Sequence, residues 1–189
     1  GIGEPLDNFD NVVKFLSMVN DERGLNIGMR HISLSTCGLT EKFDKLAALN
    51  LQLTLSVSLH APDDDTRNML MPVNRKRGVA ELYSACARYF EKTGRRISFE
   101  YAMIDGVNDT PEHARLLAEN IRKIGGHVNL IPLNHVDERR FEPSKPENMK
   151  KFIDILQKSG VNVTVRRKLG GDVDASCGQL RRKMAHSES

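Results

Sequence analysis

The sequence predicts an α/β fold, a partial (β/α) TIM-like barrel with a polar lumen, and three observations predict it. Apolar periodicity alternates between helix-like and strand-like segments along the whole chain, the arrangement of parallel βαβ units. The strand-like segments carry their apolar residues on one side: Leu53, Leu55, Val57 and Leu59 oppose Thr54, Ser56, Ser58 and His60, and Ile32 and Leu34 oppose Ser33 and Ser35. A doubly wound sheet is covered on both faces and reads as unbroken apolar runs, whereas a barrel with helices outside can keep a polar inner face when its lumen holds a ligand. In such barrels chemistry sits at the C-terminal ends of the strands, where Ser35, His60 and Asn134 fall.

The elements follow in order. Phe9, Val12, Val13, Leu16 and Val19 share one helical face, with Asp7 or Asn8 as N-cap. A strand over 31–37 leads through Gly38 into a short helix carrying Phe43, Leu46 and Leu49, then a strand over 53–60. Residues 61–77, with Pro62, three consecutive Asp, Pro72 and Arg75-Lys76-Arg77, read as a long irregular connection with room for a short helical turn. Loops of that length inside compact domains are often functional. A helix near 78–92 and a strand near 95–103 come next, then a helix opened by Thr110 as N-cap with Pro111 at its first position. A strand over 127–134 follows. Ser144 and Glu147 form a capping-box pattern before a helix with Phe152, Ile153 and Leu156, and Val161, Val163 and Val165 mark the last strand.

Composition narrows the class. The chain has 189 residues, 28 Lys+Arg against 25 Asp+Glu, three Cys and no Trp, which is the profile of a globular protein. Its longest apolar stretches are strand-sized, so no segment of roughly 20 apolar residues could span a bilayer. Cys37, Cys86 and Cys177 are too few for a disulfide framework and too far apart for a structural zinc site, so a cytoplasmic, reducing setting is expected. The first residues, Gly1-Ile2-Gly3-Glu4-Pro5, carry no initiator Met and no leader pattern, and the chain is expected to begin inside a longer protein. Residues 1–138 hold 16 basic and 19 acidic side chains, while 139–189 hold 12 and 6. Clusters such as Arg166-Arg167-Lys168 and Arg181-Arg182-Lys183 suit a polyanion, though a solvated surface gives the same pattern.

Gly1-Ile2-Gly3-Glu4-Pro5 lacks the full GxGxxG pattern and the Lys-Ser/Thr of a P-loop, so its glycines read either as a plain turn or as a place where backbone approaches a cofactor, with Glu4 free to accept from an amine or hydroxyl. Cys86 falls on the apolar helical face with Val79, Leu82, Tyr89 and Phe90 and reads as a buried, inert thiol, and Thr36-Cys37-Gly38 reads as a strand-to-helix turn. His60 has no second ligand at metal spacing and reads as a hydrogen-bonding residue, while Asp63-Asp64-Asp65 reads as a capped turn. Cys177 lies outside any amphipathic pattern, between glycines and basic clusters; nearby cations favour a thiolate, and Asp172 and Asp174 oppose it.

Together, Gly3-Glu4-Pro5-Leu6, the segment 32–38 (ISLSTCG), Ser58-Leu59-His60-Ala61, Ile131-Pro132-Leu133-Asn134 and the segment 172–180 (DVDASCGQL) resemble, in order, the RlmN/Cfr family of radical S-adenosylmethionine RNA methyltransferases. The resemblance implies a partial barrel of the radical SAM type over residues 1–168, followed by a loop and tail over 169–189. It implies S-adenosylmethionine and a [4Fe-4S] cluster as cofactors, a reducing electron donor, and 23S ribosomal RNA and transfer RNA as partners of a monomeric enzyme. Carried over by position, Gly3 and Glu4 would contact the methionyl amino group, Ser35, Ser58, Leu59, His60 and Asn134 would complete the cofactor site, and Cys177 would be the cysteine that becomes S-methylated. Two cofactor molecules are implied: one methylates Cys177, and the other yields a 5′-deoxyadenosyl radical that takes hydrogen from the S-methyl group, so that a sulfur-bound methylene radical adds to adenine carbon 2.

The sequence also departs from the family. Three cysteines spaced C-x3-C-x2-C, an N-terminal RNA-binding domain, an upstream catalytic carboxylate and a second, resolving cysteine are all absent, and Cys37 and Cys86 cannot supply them. The chain is therefore expected to be an N-terminally truncated piece, without metal ligands and inactive alone. Two rival readings remain: a Cfr-type enzyme acting at adenine carbon 8, and a noncatalytic RNA-binding module.

Overall fold

The computed structural model describes residues 3–133 and 141–166. Five parallel strands, β1 (Ser33–Thr36), β2 (Thr54–Ser58), β3 (Ser98–Met103), β4 (His127–Pro132) and β5 (Asn162–Val165), lie side by side in chain order. A doubly wound sheet reverses its strand order at a switch point; this one does not, so successive right-handed crossovers carry their helices to the same face. That winding is the one a (β/α) barrel uses, and the five described strands form an open part of it.

The two faces match the period-2 pattern. Leu34, Leu55, Val57, Phe99, Tyr101, Val128 and Leu130 are buried on the helix side. They pack with Leu46 of α2 (Phe43–Ala48), Leu82, Cys86 and Tyr89 of α4 (Gly78–Thr93), Leu117 and Ile121 of α5 (Pro111–Ile124) and Phe152 and Leu156 of α6 (Pro146–Lys158). The opposite face carries Ser33, Ser35, Ser56, Ser58, Ser98, Glu100, His127, Asn129 and Thr164. Helix α1 (Phe9–Asn20) buries Leu16 and Val19, of which Leu16 joins the core, with Phe9 and Val12 packed against it.

Several boundaries shift for identifiable reasons. The 61–77 connection is more ordered than expected: it holds the two-turn helix α3 (Asp64–Leu70) and a 3-10 segment, Pro72–Lys76. Asp63 caps α3 by accepting the Thr66 N–H at 2.8 Å, as the acidic turn suggested. The capping box before α6 does not form. Lys145 is the N-cap, and the Ser144 hydroxyl donates instead to Asp109 Oδ2 at 2.6 Å, because a buried carboxylate is the stronger acceptor. Asn8 precedes α1 but bonds the Asn11 side chain rather than a backbone N–H, and a 3-10 turn over Pro5–Asn8 leads in. The first strand is shorter than 31–37, since Met29–His31 is a 3-10 turn, and Leu49 lies just past α2, exposed.

Gly126 sets the spacing between β3 and the start of β4. A Cβ there would sit 2.6 Å from Phe99 Cε2 and 3.0 Å from Ile121 Cγ2. Gly126→Ala should therefore overpack the core and lower unfolding free energy by about 1–3 kcal/mol, seen as a lower urea midpoint with unchanged slope.

Candidate functional site at the C-terminal ends of the strands

The chain's polar groups gather where β1, β2 and β3 end. Glu4 already accepts two backbone hydrogen bonds, Oε1 from the Leu6 N–H at 3.0 Å and Oε2 from the Cys37 N–H at 2.7 Å. The carboxylate thus pins the 3–6 segment to the end of β1, and each oxygen keeps acceptor capacity. Around Gly3 the backbone is open, with no atom within 4 Å of where a Cβ would be. The chain turns away through Gly38, whose φ of +103° and the Leu82 Cδ1 atom 2.9 Å from a notional Cβ both require glycine.

His60 closes β2 in a left-handed conformation, φ +58°, an uncommon state for a non-glycine residue that surrounding bonds must hold. Its N–H donates to the Glu100 carbonyl at 3.2 Å, its carbonyl accepts from Asn108 Nδ2 at 2.7 Å, and its Nδ1 accepts the Ala102 N–H at 3.0 Å. Accepting at Nδ1 fixes the neutral tautomer with hydrogen on Nε2. Burial, helped by the Arg67 charge, lowers the imidazole pKa to about 4. Leu59 is fully buried, its N–H bonded to the Glu100 carbonyl and its own carbonyl to Arg67. Ser35 and Ser58 stand on the polar face, Ser35 exposed and Ser58 beside Glu100 in the strand register.

Two residues that sequence reasoning missed organise this rim. Arg67, 2% exposed, donates from Nε to the Leu59 carbonyl (3.0 Å), from Nη2 to the carbonyls of Cys37 (2.8 Å) and Ser58 (3.1 Å), and from Nη1 to Asn74 Oδ1 (2.7 Å). Asn74 in turn donates to Asp64 Oδ1 at 2.7 Å, so the whole 61–78 connection is built around one guanidinium. Asn108, fully buried, donates to the carbonyls of His60 and Ala102 (2.6 Å) and accepts the Ile104 N–H (2.8 Å), locking the end of β2 to the end of β3. A polar residue in a two-turn helix and an Asn in a loop give no apolar periodicity, and the only hint was the length of the connection.

The cysteines separate. Burial pushes the Cys37 thiol up to about 12, and the Glu4 carboxylate adds to the shift; Cys86 is buried in the core and its thiol is also raised by burial. Neither is a thiolate at neutral pH, and among the described residues no group of three or more His, Cys, Asp or Glu could hold a metal. They do not fit an iron–sulfur cluster. The rim does fit a zwitterionic nucleoside: it offers the Glu4 carboxylate, the Ser35 and Ser58 hydroxyls and the His60 Nε2–H as acceptors and donors around an open backbone. Asn134 and Cys177, together with the basic clusters 166–168 and 181–183 apart from Arg166, lie outside the described residues. A shallow cleft of about 520 Å³ lies at the other end of the strands, between Asn20, Met29, His31 and Gln52, away from the rim, and none of these polar side chains is buried. The strand-end rim is the better site on those grounds.

The Radical SAM superfamily matches residues 1–118. The chain belongs to that superfamily. Curated relatives called probable dual-specificity RNA methyltransferase RlmN are 56% identical in Desulforamulus reducens, over 97% of this chain and 52% of the relative, and 51% identical in Clostridium tetani, over 100% and 54%. The chain therefore spans about half the length of these relatives. Among solved structures, a radical SAM methyltransferase from Sphaerobacter thermophilus superposes with a TM-score of 0.89 at 44% identity, covering 94% of this chain and 52% of that one. A domain of a pyruvate-formate lyase-activating enzyme from Bacteroides vulgatus, at 18% identity and a TM-score of 0.64, shares the fold. Among the described residues no helix is long and apolar enough to cross a membrane.

Because His60 titrates near pH 4 when folded and near 6.5 when unfolded, the unfolded chain takes up a proton across that window that the native state does not. Stability should fall as pH drops from about 6.5 towards 4, and His60→Gln should flatten that part of the profile. Nitrogen-15 spectra of the imidazole should show the Nε2–H tautomer throughout pH 5–8.

Proposed function

We propose that residues 1–168 supply the partial barrel, and residues 169–189 the methyl-carrying loop, of an S-adenosylmethionine-dependent RNA methyltransferase of the RlmN type. The observation that supports this reading is the placement of Glu4, Ser35, Ser58 and His60 at the C-terminal ends of β1 and β2, on strand ends whose carbonyls Arg67 and Asn108 tie together. The whole protein acts on an adenine of 23S ribosomal RNA and on transfer RNA, at carbon 2, in the cytoplasm. A [4Fe-4S] cluster and an electron donor belong to the whole protein in this reading, and neither Cys37 nor Cys86 serves as a cluster ligand.

The cofactor, when bound, supplies the methyl group and the radical chemistry that an unreactive aromatic carbon requires. Glu4 receives the ammonium group of its methionyl part, with Gly3 allowing close backbone approach. Ser35, Ser58 and Asn134 orient the rest, and His60, neutral and held at Nδ1, presents a donor at Nε2. Leu59 acts through its backbone, which Arg67 fixes. Cys177 would be the methyl acceptor, its thiolate sulfur holding as a thioether the methyl group that the cofactor would supply, with S-adenosylhomocysteine as the co-product. Two cofactor molecules are used per methyl group placed, the first in this transfer. The basic residues after 138 hold phosphate while the glycine-flanked loop carries its methyl group to the base.

In the full-length protein, Cys177→Ala should abolish methylation of 23S ribosomal RNA, and mass mapping of the wild-type product should show 2-methyladenine. Methylation that survives the substitution would contradict the methyl-carrier role, and 8-methyladenine would contradict the regiochemistry. Arg67→Met should lower cofactor affinity at least 10-fold by releasing three rim carbonyls, with Arg67→Lys intermediate, as calorimetry with S-adenosylhomocysteine would read.

A further inference from the structure

The run Arg75-Lys76-Arg77 in the 61–78 connection takes no part in the rim itself. It starts within the 3-10 turn Pro72–Lys76, whose anchor is Asn74, 3% exposed. Asn74 Oδ1 accepts from Arg67 Nη1 at 2.7 Å, and its Nδ2 donates to Asp64 Oδ1 at 2.7 Å and to Asn68 Oδ1 at 2.9 Å. Asp64 Oδ1 accepts in addition the Val79 N–H at 2.8 Å, just beyond the turn. In the backbone, the Asn74 N–H donates to the Met71 carbonyl at 3.0 Å and the Arg77 N–H to the Asn74 carbonyl at 3.1 Å. Arg75 and Lys76, the residues between Asn74 and Arg77, are therefore exposed on a fixed base.

The three cations of the run differ in what they face. Arg77 Nη1 lies 3.2 Å from Glu41 Oε2 and donates to Thr40 Oγ1 at 3.4 Å, which sets the turn beside the start of α2, at the same end of the strands as the rim. Lys145, before α6, is likewise within 3.7 Å of Asp105. Arg75 and Lys76 form no ion pair among the described residues. A lone exposed cation is ordinarily just solvated. Two adjacent ones without a counter-charge, on a turn already immobilised, repel each other until an anion arrives, and its arrival has little backbone left to order.

We propose that Arg75 and Lys76 are a docking point for the phosphate backbone of the RNA substrate, on the β1–β2 flank of the rim. This deepens the proposed function and rests on its reading of the protein as an RNA methyltransferase. The cations given to phosphate in that reading come after residue 138, and Arg166 among them follows β5, at the opposite edge of the sheet, its N–H donating to the Leu130 carbonyl at 2.8 Å. Phosphate contacts on both flanks fix the register and direction of a strand over the rim, which contacts on one flank leave free. They read no bases, so one turn can serve RNAs of different sequence. RNA is favoured over an acidic protein because the base to be methylated has to reach this end of the strands.

The test is RNA binding by the full-length protein, with a transfer RNA transcript as probe across a potassium chloride series. Arg75→Gln combined with Lys76→Gln should weaken binding about 10-fold and lower the slope of log Kd against log salt by about 1.5, as expected for two lost phosphate contacts. Affinity for S-adenosylhomocysteine should stay within about twofold of wild type, since the exposed side chains do not touch the rim. The exchanged pair Arg75→Lys with Lys76→Arg keeps both charges and should retain the wild-type salt slope. Arg96→Gln combined with Lys158→Gln removes the same net charge from exposed positions before β3 and β5, at the other end of the strands, and should leave the slope unchanged. An unchanged slope in the Arg75/Lys76 glutamine variant, or an equal loss in the Arg96/Lys158 variant, would overturn the proposal. Intact RNA affinity with slower reduction by an acidic electron-transfer protein would assign the turn to that partner and overturn it as well. Wild-type protein that fails to bind the transcript would overturn the underlying RNA reading, and that result precedes any variant.

Discussion

Arg67 carries a buried charge whose hydrogen bonds go to the carbonyls that end β1 and β2, at Cys37, Ser58 and Leu59, rather than to a carboxylate. Strand ends leave carbonyls without ladder partners, and burying them unpaired is costly. A planar guanidinium can satisfy several at once with charge-assisted bonds, which a point charge such as lysine cannot do in the same geometry. The desolvation cost of the charge is real, and it is offset by four bonds that fix the 61–78 connection and the rim in one arrangement. The same charge reaches His60 and helps to keep its ring neutral.

The second constraint is the one-sidedness of the sheet. Sequential strand order puts every crossover helix on one face, which leaves the other to be apolar and covered or polar and wet. Here it is polar, and its groups satisfy one another laterally: Ser33 with Ser56 at 2.9 Å, and the chain from His127 through Thr164 and Asn129 to Glu100. Such a network is rigid before any ligand arrives, so the groups aimed into the lumen are placed without further ordering cost. Asn108 joins this face to the rim by locking β2 and β3 where both end.

The fold was legible wherever periodicity carries information. Alternation in 53–60 gave β2 and its polar side, Thr110-Pro111 gave the start of α5, and the polar lumen distinguished barrel from doubly wound sheet. Helix α3 was less legible because seven residues between two prolines have little intrinsic helicity; the helix is held by Asp63 at one end and by Arg67 bonding outward. Ser144 was misread because its partner, Asp109, lies 35 residues away and is visible only once the chain is folded. Comparable separations, 33 residues for Glu4 and Cys37 and 29 for Asn129 and Glu100, hide those bonds as well. Motif spacing located the strand-end residues 35 and 58–60, but the groups that hold them, Arg67 and Asn108, act through backbone carbonyls and leave no pattern in the sequence.

The central claim is that a preformed rim at the C-terminal ends of β1–β3 receives the cofactor. Hydrogen exchange of the full-length protein with and without S-adenosylhomocysteine tests it most directly. The account predicts slowed exchange at the Cys37, Gly38, His60 and Ala102 amides, with little change around Met29–His31 and Asn50–Gln52. Protection confined to that opposite end of the strands, with the rim amides unaffected, would contradict it.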